Sequence, residues 1–260
     1  MTLMPVEGLL PLTEGCQHYE DVSEVPGDLK KYFHQRYNIF NFYDYDIRMT
    51  DDAWFGVTPE PVATKIAKDV ASHVHSNPRK DTIIDIFAGA GGNTIAFALS
   101  EKWERVIAVE KDAATLACAQ HNAAVYGVLD SIIWVHGDCL EVLARLTQQH
   151  QHPDADLVDP SLQIEPAETV IFASPPWGGV SYRDQDVFDL STMQPYNLET
   201  LHAACRPMEH VLFLPRTSDL NQIAALVPGS DGEDGEKIEV VQYCMEGASK
   251  ALVAYMPASE

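Results

Sequence analysis

The sequence predicts an α/β fold, a mostly parallel sheet with helices on both faces, and three observations carry that expectation. Short apolar runs alternate with stretches of helical periodicity from residue 82 to about residue 226. Three successive runs end in or just before an acid: Asp85, Glu110 and Asp138. A further run, Thr169-Val-Ile-Phe-Ala173, leads directly into Ser-Pro-Pro-Trp-Gly-Gly at 174–179. Parallel strands bring such ends to one edge of the sheet, where open α/β folds bind ligands.

Taken in order, residues 1 to about 29 show little periodicity and are expected to form an irregular arm. Residues 30–60, aromatic and mixed in charge, suggest a short helical extension near the site, and the core then spans 61–260. A helix is expected from Thr58-Pro59-Glu60 to about His75, with Thr58 as cap, Pro59 at the first helical position and Val62, Ile66 and Val70 on the apolar face. After the strand-like Thr82-Ile-Ile comes Asp85-Ile-Phe-Ala-Gly-Ala-Gly-Gly-Asn93. Glycines 89, 91 and 92 suit a tight strand-to-helix turn where backbone approaches a ligand, and Asn93-Thr94 are expected to cap the helix that follows. The spacing is G-x-G-G, not G-x-G-x-x-G, so a pyrophosphate is not implied.

The run Arg105-Val-Ile-Ala-Val-Glu110 ends in an acid about 20 residues after the glycines, where such folds hold a ribose diol. A helix cap or a solvated charge is the other reading of Glu110. A helix over 112–126 precedes Ile132-Ile-Trp-Val-His136 and Asp138. Residues 148–166 are polar and rich in His, Asp and Pro, which predicts an inserted loop. His150 and His152 within it lack further ligands at fixed spacing, so no metal site is expected. The runs 238–243 and 251–255, joined through Glu246-Gly247, read as an antiparallel hairpin.

Composition bounds the function classes. A chain of 260 residues, 46% hydrophobic, supports one core domain with a small appended element, and no 18-residue apolar run predicts a membrane span. The start has neither a basic nor a signal-like apolar stretch, and the five cysteines contain no CxxC, so an intracellular protein with reduced thiols is expected. The net charge of -22 opposes nonspecific grip on a long nucleic-acid backbone and suits a small terminal target. Acids crowd 154–168 and 231–236, whereas Lys30, Lys31, Arg36 and Arg48 precede the core.

The corner after the fourth run carries the chemistry. Pro175 and Pro176 fix their own φ and offer no N–H, so the corner presents carbonyls and the Ser174 hydroxyl, acceptors suited to an exocyclic amine. Trp177 adds a flat face for a base, and two glycines turn the chain away. The plainer reading is a Pro-rich turn with a core tryptophan.

With these motifs in view, the chain resembles class I S-adenosylmethionine-dependent methyltransferases, and among them the trimethylguanosine synthase family of RNA cap guanine-N2 methyltransferases. The stretches that carry the resemblance are Lys31-Tyr-Phe-His-Gln-Arg-Tyr37, Trp54-Phe-Gly-Val-Thr-Pro-Glu60, Asp85 to Thr94, Ser-Pro-Pro-Trp-Gly-Gly and Phe213-Leu-Pro-Arg216. Ser-Pro-Pro-Trp is the specific element, since related amino-methyltransferases generally carry Asn or Asp before the prolines and Tyr or Phe after them.

The resemblance implies a Rossmann-like, seven-stranded sheet with a reversed last strand. It also implies S-adenosylmethionine held by Asp85, Ala88, Gly89, Gly91, Asn93 and Thr94, with Glu110 on the ribose, Asp138 near the adenine amine, and Phe55 and Thr58 as lid residues. Ser174, Pro175 and Trp177 would be catalytic, and Trp177, Arg48, Arg216 and Tyr182 would bind substrate. That substrate would be 7-methylguanosine-capped RNA of the snRNA or snoRNA type, converted to 2,2,7-trimethylguanosine by a monomer in the nucleus or nucleolus. Methylation of adenine N6 or of an internal RNA guanine, and a noncatalytic cap-binding module, remain as alternatives.

Overall fold

In the computed structural model, residues 2–74, 80–177, 186–227, 238–245 and 247–259 are described. The strands are β1 (Thr82–Asp85), β2 (Arg105–Glu110), β3 (Ile132–His136), β4 (Thr169–Ala173), β5 (Glu209–Pro215), β6 (Glu239–Met245) and β7 (Ala248–Met256). They form one seven-stranded sheet in the order β3-β2-β1-β4-β5-β7-β6. β7 runs antiparallel to both β5 and β6, and the pairs from β3 to β5 are parallel. The expected reversed last strand is therefore present, inserted between β5 and its own hairpin partner.

Why the strand runs are continuously apolar is plain from their two faces. Ile83, Phe172, Val211 and Val253 belong to one core cluster, whereas Ile84, Ile171, Leu212 and Ala254 belong to the other, so successive residues enter opposite cores. The first core is roofed by α4 (Glu60–Val74), α5 (Gly92–Leu99) and α6 (Ala113–Val125), and the second by α7 (Cys139–Gln151) and α8 (Leu198–Cys205). On α4, Val62, Ile66 and Val70 are buried together with Ala63, Ala67 and Ala71, the stripe that its periodicity predicted. A short α9 (Leu220–Ala224) follows β5.

Ahead of the core, residues 30–60 contain three single-turn helices, α1 (Lys30–Phe33), α2 (Arg36–Ile39) and α3 (Ala53–Gly56). Phe33, Phe40, Tyr43 and Trp54 from this stretch are buried in the first core. The N-terminal residues lie along the outer strand: Val6 N donates to Trp134 O on β3 (2.7 Å), and Leu3 N donates to Leu157 O (2.8 Å). Such pairing covers a sheet edge that would otherwise present unpaired backbone groups.

Three local expectations are corrected. Helix α5 is started by Gly91 in the left-handed region (φ 95°), not capped by Asn93 or Thr94, which lie inside its first turn and reach elsewhere. The Thr58 hydroxyl accepts from Asn93 Nδ2 (3.0 Å), and α4 begins at Glu60. Helix α7 continues to Gln151, into the stretch read as a loop. Gln149 is buried there, donating to Pro153 O (3.1 Å) and accepting from Leu157 N (2.9 Å).

Candidate active site

The register of the parallel strands assembles the site. Asp85 pairs with Ala108 on one side and Phe172 on the other, so the residues just beyond β1, β2 and β4 share one edge. Between β1 and α5 the chain must turn within a few residues. Ala88 N donates to Val109 O (3.0 Å), Gly89 adopts φ 52°, and Gly91 N donates to Ala88 O (2.9 Å). Gly91 adopts φ 95°, a backbone conformation that favours glycine, and a Cβ there would press on Ile95 Cδ1 at 3.1 Å. On Gly89 a Cβ would meet nothing within 4 Å, so the turn opens toward free space at that residue.

The acids are wired into this turn. Asp85 is fully buried, with Thr94 Oγ1 donating to Oδ2 (2.6 Å) and Phe87 N to Oδ1 (3.3 Å), and burial pushes its carboxyl up to about 7. Glu110 accepts from Gly89 N on one oxygen (2.9 Å) and from Asp112 N on the other (2.9 Å), and burial raises its carboxyl too. A carboxylate offers about four acceptor positions. The Lys111 backbone N–H also bonds this carboxylate, so one acceptor position is left for a further donor.

Asp138 caps α7 through Leu140 N (3.0 Å), as strand-end acids often do. It also accepts from Lys111 Nζ (3.1 Å) and, in a short bond, from the Tyr196 hydroxyl. Burial alone would raise this carboxyl, but those donors hold it below the usual carboxylate range.

At the end of β4, Ser174 is half-buried, Pro175 buried and Pro176 exposed. Trp177 is half-buried and stacks on Phe213 of β5, with ring centroids 5.8 Å apart and planes 19° apart, while its Nε1 donates to Phe213 O (3.4 Å). Ala173 pairs with Leu212, which places the Pro-Pro corner beside the Phe213-Leu-Pro-Arg216 segment. Arg216 is exposed at the end of β5. Trp177 packs against both core clusters and keeps part of its surface exposed. Gly178, Gly179 and Tyr182 lie outside the described residues.

Comparison with known proteins decides the family. The model of the family described as RNA cap guanine-N2 methyltransferase matches residues 80–259. A trimethylguanosine synthase of Schizosaccharomyces pombe is 35% identical over 234 residues, 89% of this chain and 87% of that protein. The chain belongs to the RNA cap guanine-N2 methyltransferase family. A trimethylguanosine synthase of Saccharomyces cerevisiae is 33% identical over 76% of the chain, which spans 58% of that longer protein. Among solved structures, a protein of Porphyromonas gingivalis W83 described as a methyltransferase superposes over 91% of the chain and 52% of its own, with TM-score 0.58 at 16% identity, a likeness of fold.

In this methyltransferase six of the sequence-derived residues are joined in pairs around the turn, and Phe55 and Arg48 make their contacts elsewhere. Asp85, Gly89, Asn93, Thr94, Thr58 and Glu110 are joined by the hydrogen bonds above. Phe55 sits outside that network, exposed and edge-on to Tyr32 at 5.5 Å. Arg48 is tied by its backbone to Asn122, whose Nδ2 also donates to Ala90 O in the turn (3.0 Å). Its guanidinium pairs with Asp46 (2.5 Å) and donates to Cys16 O (3.4 Å), and its buried Nε has no hydrogen-bond partner among the described residues. Asn93 Oδ1 is likewise buried and unpartnered there.

Sequence reasoning missed Lys111 and Tyr196. Lys111 follows Glu110 directly, so a basic residue next to a strand-end acid was an available signal; Tyr196, 58 residues from Asp138, gave none.

Proposed function

We propose that this chain transfers a methyl group to the exocyclic N2 of 7-methylguanosine at RNA 5′ caps, giving 2,2,7-trimethylguanosine. The observation that carries the reading is Trp177, backed by Phe213 at the end of a Ser-Pro-Pro corner within a chain of the cap guanine-N2 methyltransferase family. S-adenosylmethionine, when bound, supplies a methyl group on a cationic sulfur. The donor set fits such a group: Gly89 opens onto free space, the Glu110 carboxylate keeps an acceptor position for a ribose hydroxyl, and Asn93 Oδ1 beside the turn is an acceptor without a hydrogen-bond partner among the described residues.

The chain's residues then act by orientation. Ser174 and the Pro175 carbonyl accept the amine hydrogens, aim the nitrogen lone pair and stabilise the positive charge that develops on it. Trp177 stacks on the base. Because 7-methylguanine is cationic, that stacking gains about 1–2 kcal/mol over neutral guanine, which selects a cap that already carries one methyl group. Arg216, at the end of the neighbouring strand, meets the cap phosphates. Arg48 joins it by exchanging its Asp46 partner for a phosphate, and Phe55 and Thr58 cover the cofactor. The reading extends to small nuclear and nucleolar RNA as substrate, action in the nucleus and a monomeric enzyme.

Labelled S-adenosylmethionine tests the proposal directly. Label is expected in 7-methylguanosine nucleotide and not in GTP or adenine oligonucleotides. Trp177→Ala is expected to raise KM for the nucleotide roughly 5- to 30-fold, the loss of the cation–π contribution. Equal labelling of GTP, or a Trp177→Ala enzyme with unchanged KM, overturns it; tryptophan quenching by the nucleotide without label transfer identifies a binding module.

A further inference from the structure

We propose that Tyr196 is a positioning residue that, with Lys111, fixes the Asp138 carboxylate as a directional acceptor for the exocyclic amine of a purine. The inference rests on the reading that Asp138 faces the adenine of S-adenosylmethionine, and assigns how that carboxylate discriminates. Three separate parts of the fold converge on it. Leu140 N, from the first turn of α7, donates to Oδ1 (3.0 Å); Lys111 Nζ, from the residue after β2, donates to Oδ2 (3.1 Å); and the Tyr196 hydroxyl, from the segment between β4 and α8, donates to the same Oδ2.

A carboxylate has about four acceptor positions. Three are filled by the protein, so Oδ2 is saturated and Oδ1 alone keeps a position. An acceptor restricted in this way admits one donor from one direction. An adenine amine meets it with an N–H; a purine bearing a keto oxygen at the same carbon presents a second acceptor and is repelled.

The two Oδ2 partners are not equivalent. The Lys111 side chain is 71% exposed, so its bond is screened by solvent and its long stem is free to move. Tyr196 is half-buried and its ring packs against the second core cluster, which holds the hydroxyl in place. The geometry makes Tyr196 the rigid member of the pair. Its bond, with those of Lys111 and Leu140, holds the Asp138 carboxyl below the usual range against the effect of burial.

The test measures binding of S-adenosylmethionine and of its inosine counterpart, in which a keto oxygen replaces the amine, to wild type, Tyr196→Phe, Lys111→Met and Asp138→Asn. Wild type is expected to prefer the amine form at least about tenfold, and Tyr196→Phe to lower that preference roughly 3- to 10-fold. Lys111→Met should lower it less; the readout is the ratio of the two cofactor affinities, which a merely structural loss would not move. If Tyr196→Phe weakens both cofactor forms equally, or leaves the preference intact while Asp138→Asn abolishes it, Tyr196 is structural and the proposal falls although the reading of Asp138 stands. If Asp138→Asn keeps the full preference, Asp138 does not face the amine and both fall.

Discussion

Asp85 lies with no exposed surface at the end of β1, and among the described residues its hydrogen-bond partners are Thr94 Oγ1 and Phe87 N. Desolvation disfavours its charged form, so the folded chain holds the proton up to about pH 7, whereas an unfolded carboxyl releases it near about pH 4. A folded pKa above the unfolded one means that stability from this group is complete below about pH 4 and is lost as pH rises through about 7. Thermal melts between pH 4 and pH 8 should therefore show the wild-type Tm falling relative to Asp85→Asn across that window; parallel curves would contradict the linkage. Thr94→Val, which strips one donor from the same buried carboxyl, should cost about 1–3 kcal/mol in denaturant unfolding. The acid itself was legible, because residue type at a strand end is a local signal. Its partner was not. Thr94 reads locally as a helix cap, and only the left-handed Gly91, by starting α5 earlier, releases its hydroxyl to Asp85.

At the scale of elements, β2, β3 and β4 are the runs read from sequence residue for residue, because each interior is apolar and a polar residue marks at least one end: Arg105 and Glu110 in β2, His136 in β3 and Thr169 in β4. The extension before the core was less legible: helices of four residues are too short to show a period, so aromatic content was the usable cue. The turn between β1 and α5 separates fold from site within three residues. Gly89→Ala imposes left-handed strain of about 1–2 kcal/mol with no clash, since a Cβ there meets open space. Gly91→Ala adds to that strain a close contact with Ile95 Cδ1 at 3.1 Å, an overpacking cost of about 1 kcal/mol. The expected outcome is that Gly91→Ala lowers Tm more, while Gly89→Ala, with the smaller Tm loss, raises the KM for S-adenosylmethionine more. A reversed KM order would show that Gly89 does not face the cofactor, and a reversed Tm order that Ile95 yields to a Cβ on Gly91.

For the whole molecule, a net charge of -22 sets the terms on which an anionic substrate can be approached. Long-range repulsion acts on every phosphate of an RNA, whereas Arg216 and Arg48 act on the few that follow the cap, and Arg48 is shared with Asp46. Each added nucleotide therefore brings repulsion with no matching contact among the groups assigned to the site. KM measured for a 7-methylguanosine dinucleotide and for a capped RNA of some tens of nucleotides should be similar or favour the shorter substrate at low salt. Raising salt from about 50 to 200 mM screens the repulsion and should improve the longer substrate relative to the shorter one. A protein that grips nucleic acid through many phosphate contacts behaves in the opposite way, losing affinity steeply over the same range. A longer RNA that binds much more tightly at low salt, and loses that advantage as salt rises, would reveal a basic track beyond Arg48 and Arg216 and overturn the view of the enzyme as a reader of the RNA terminus alone.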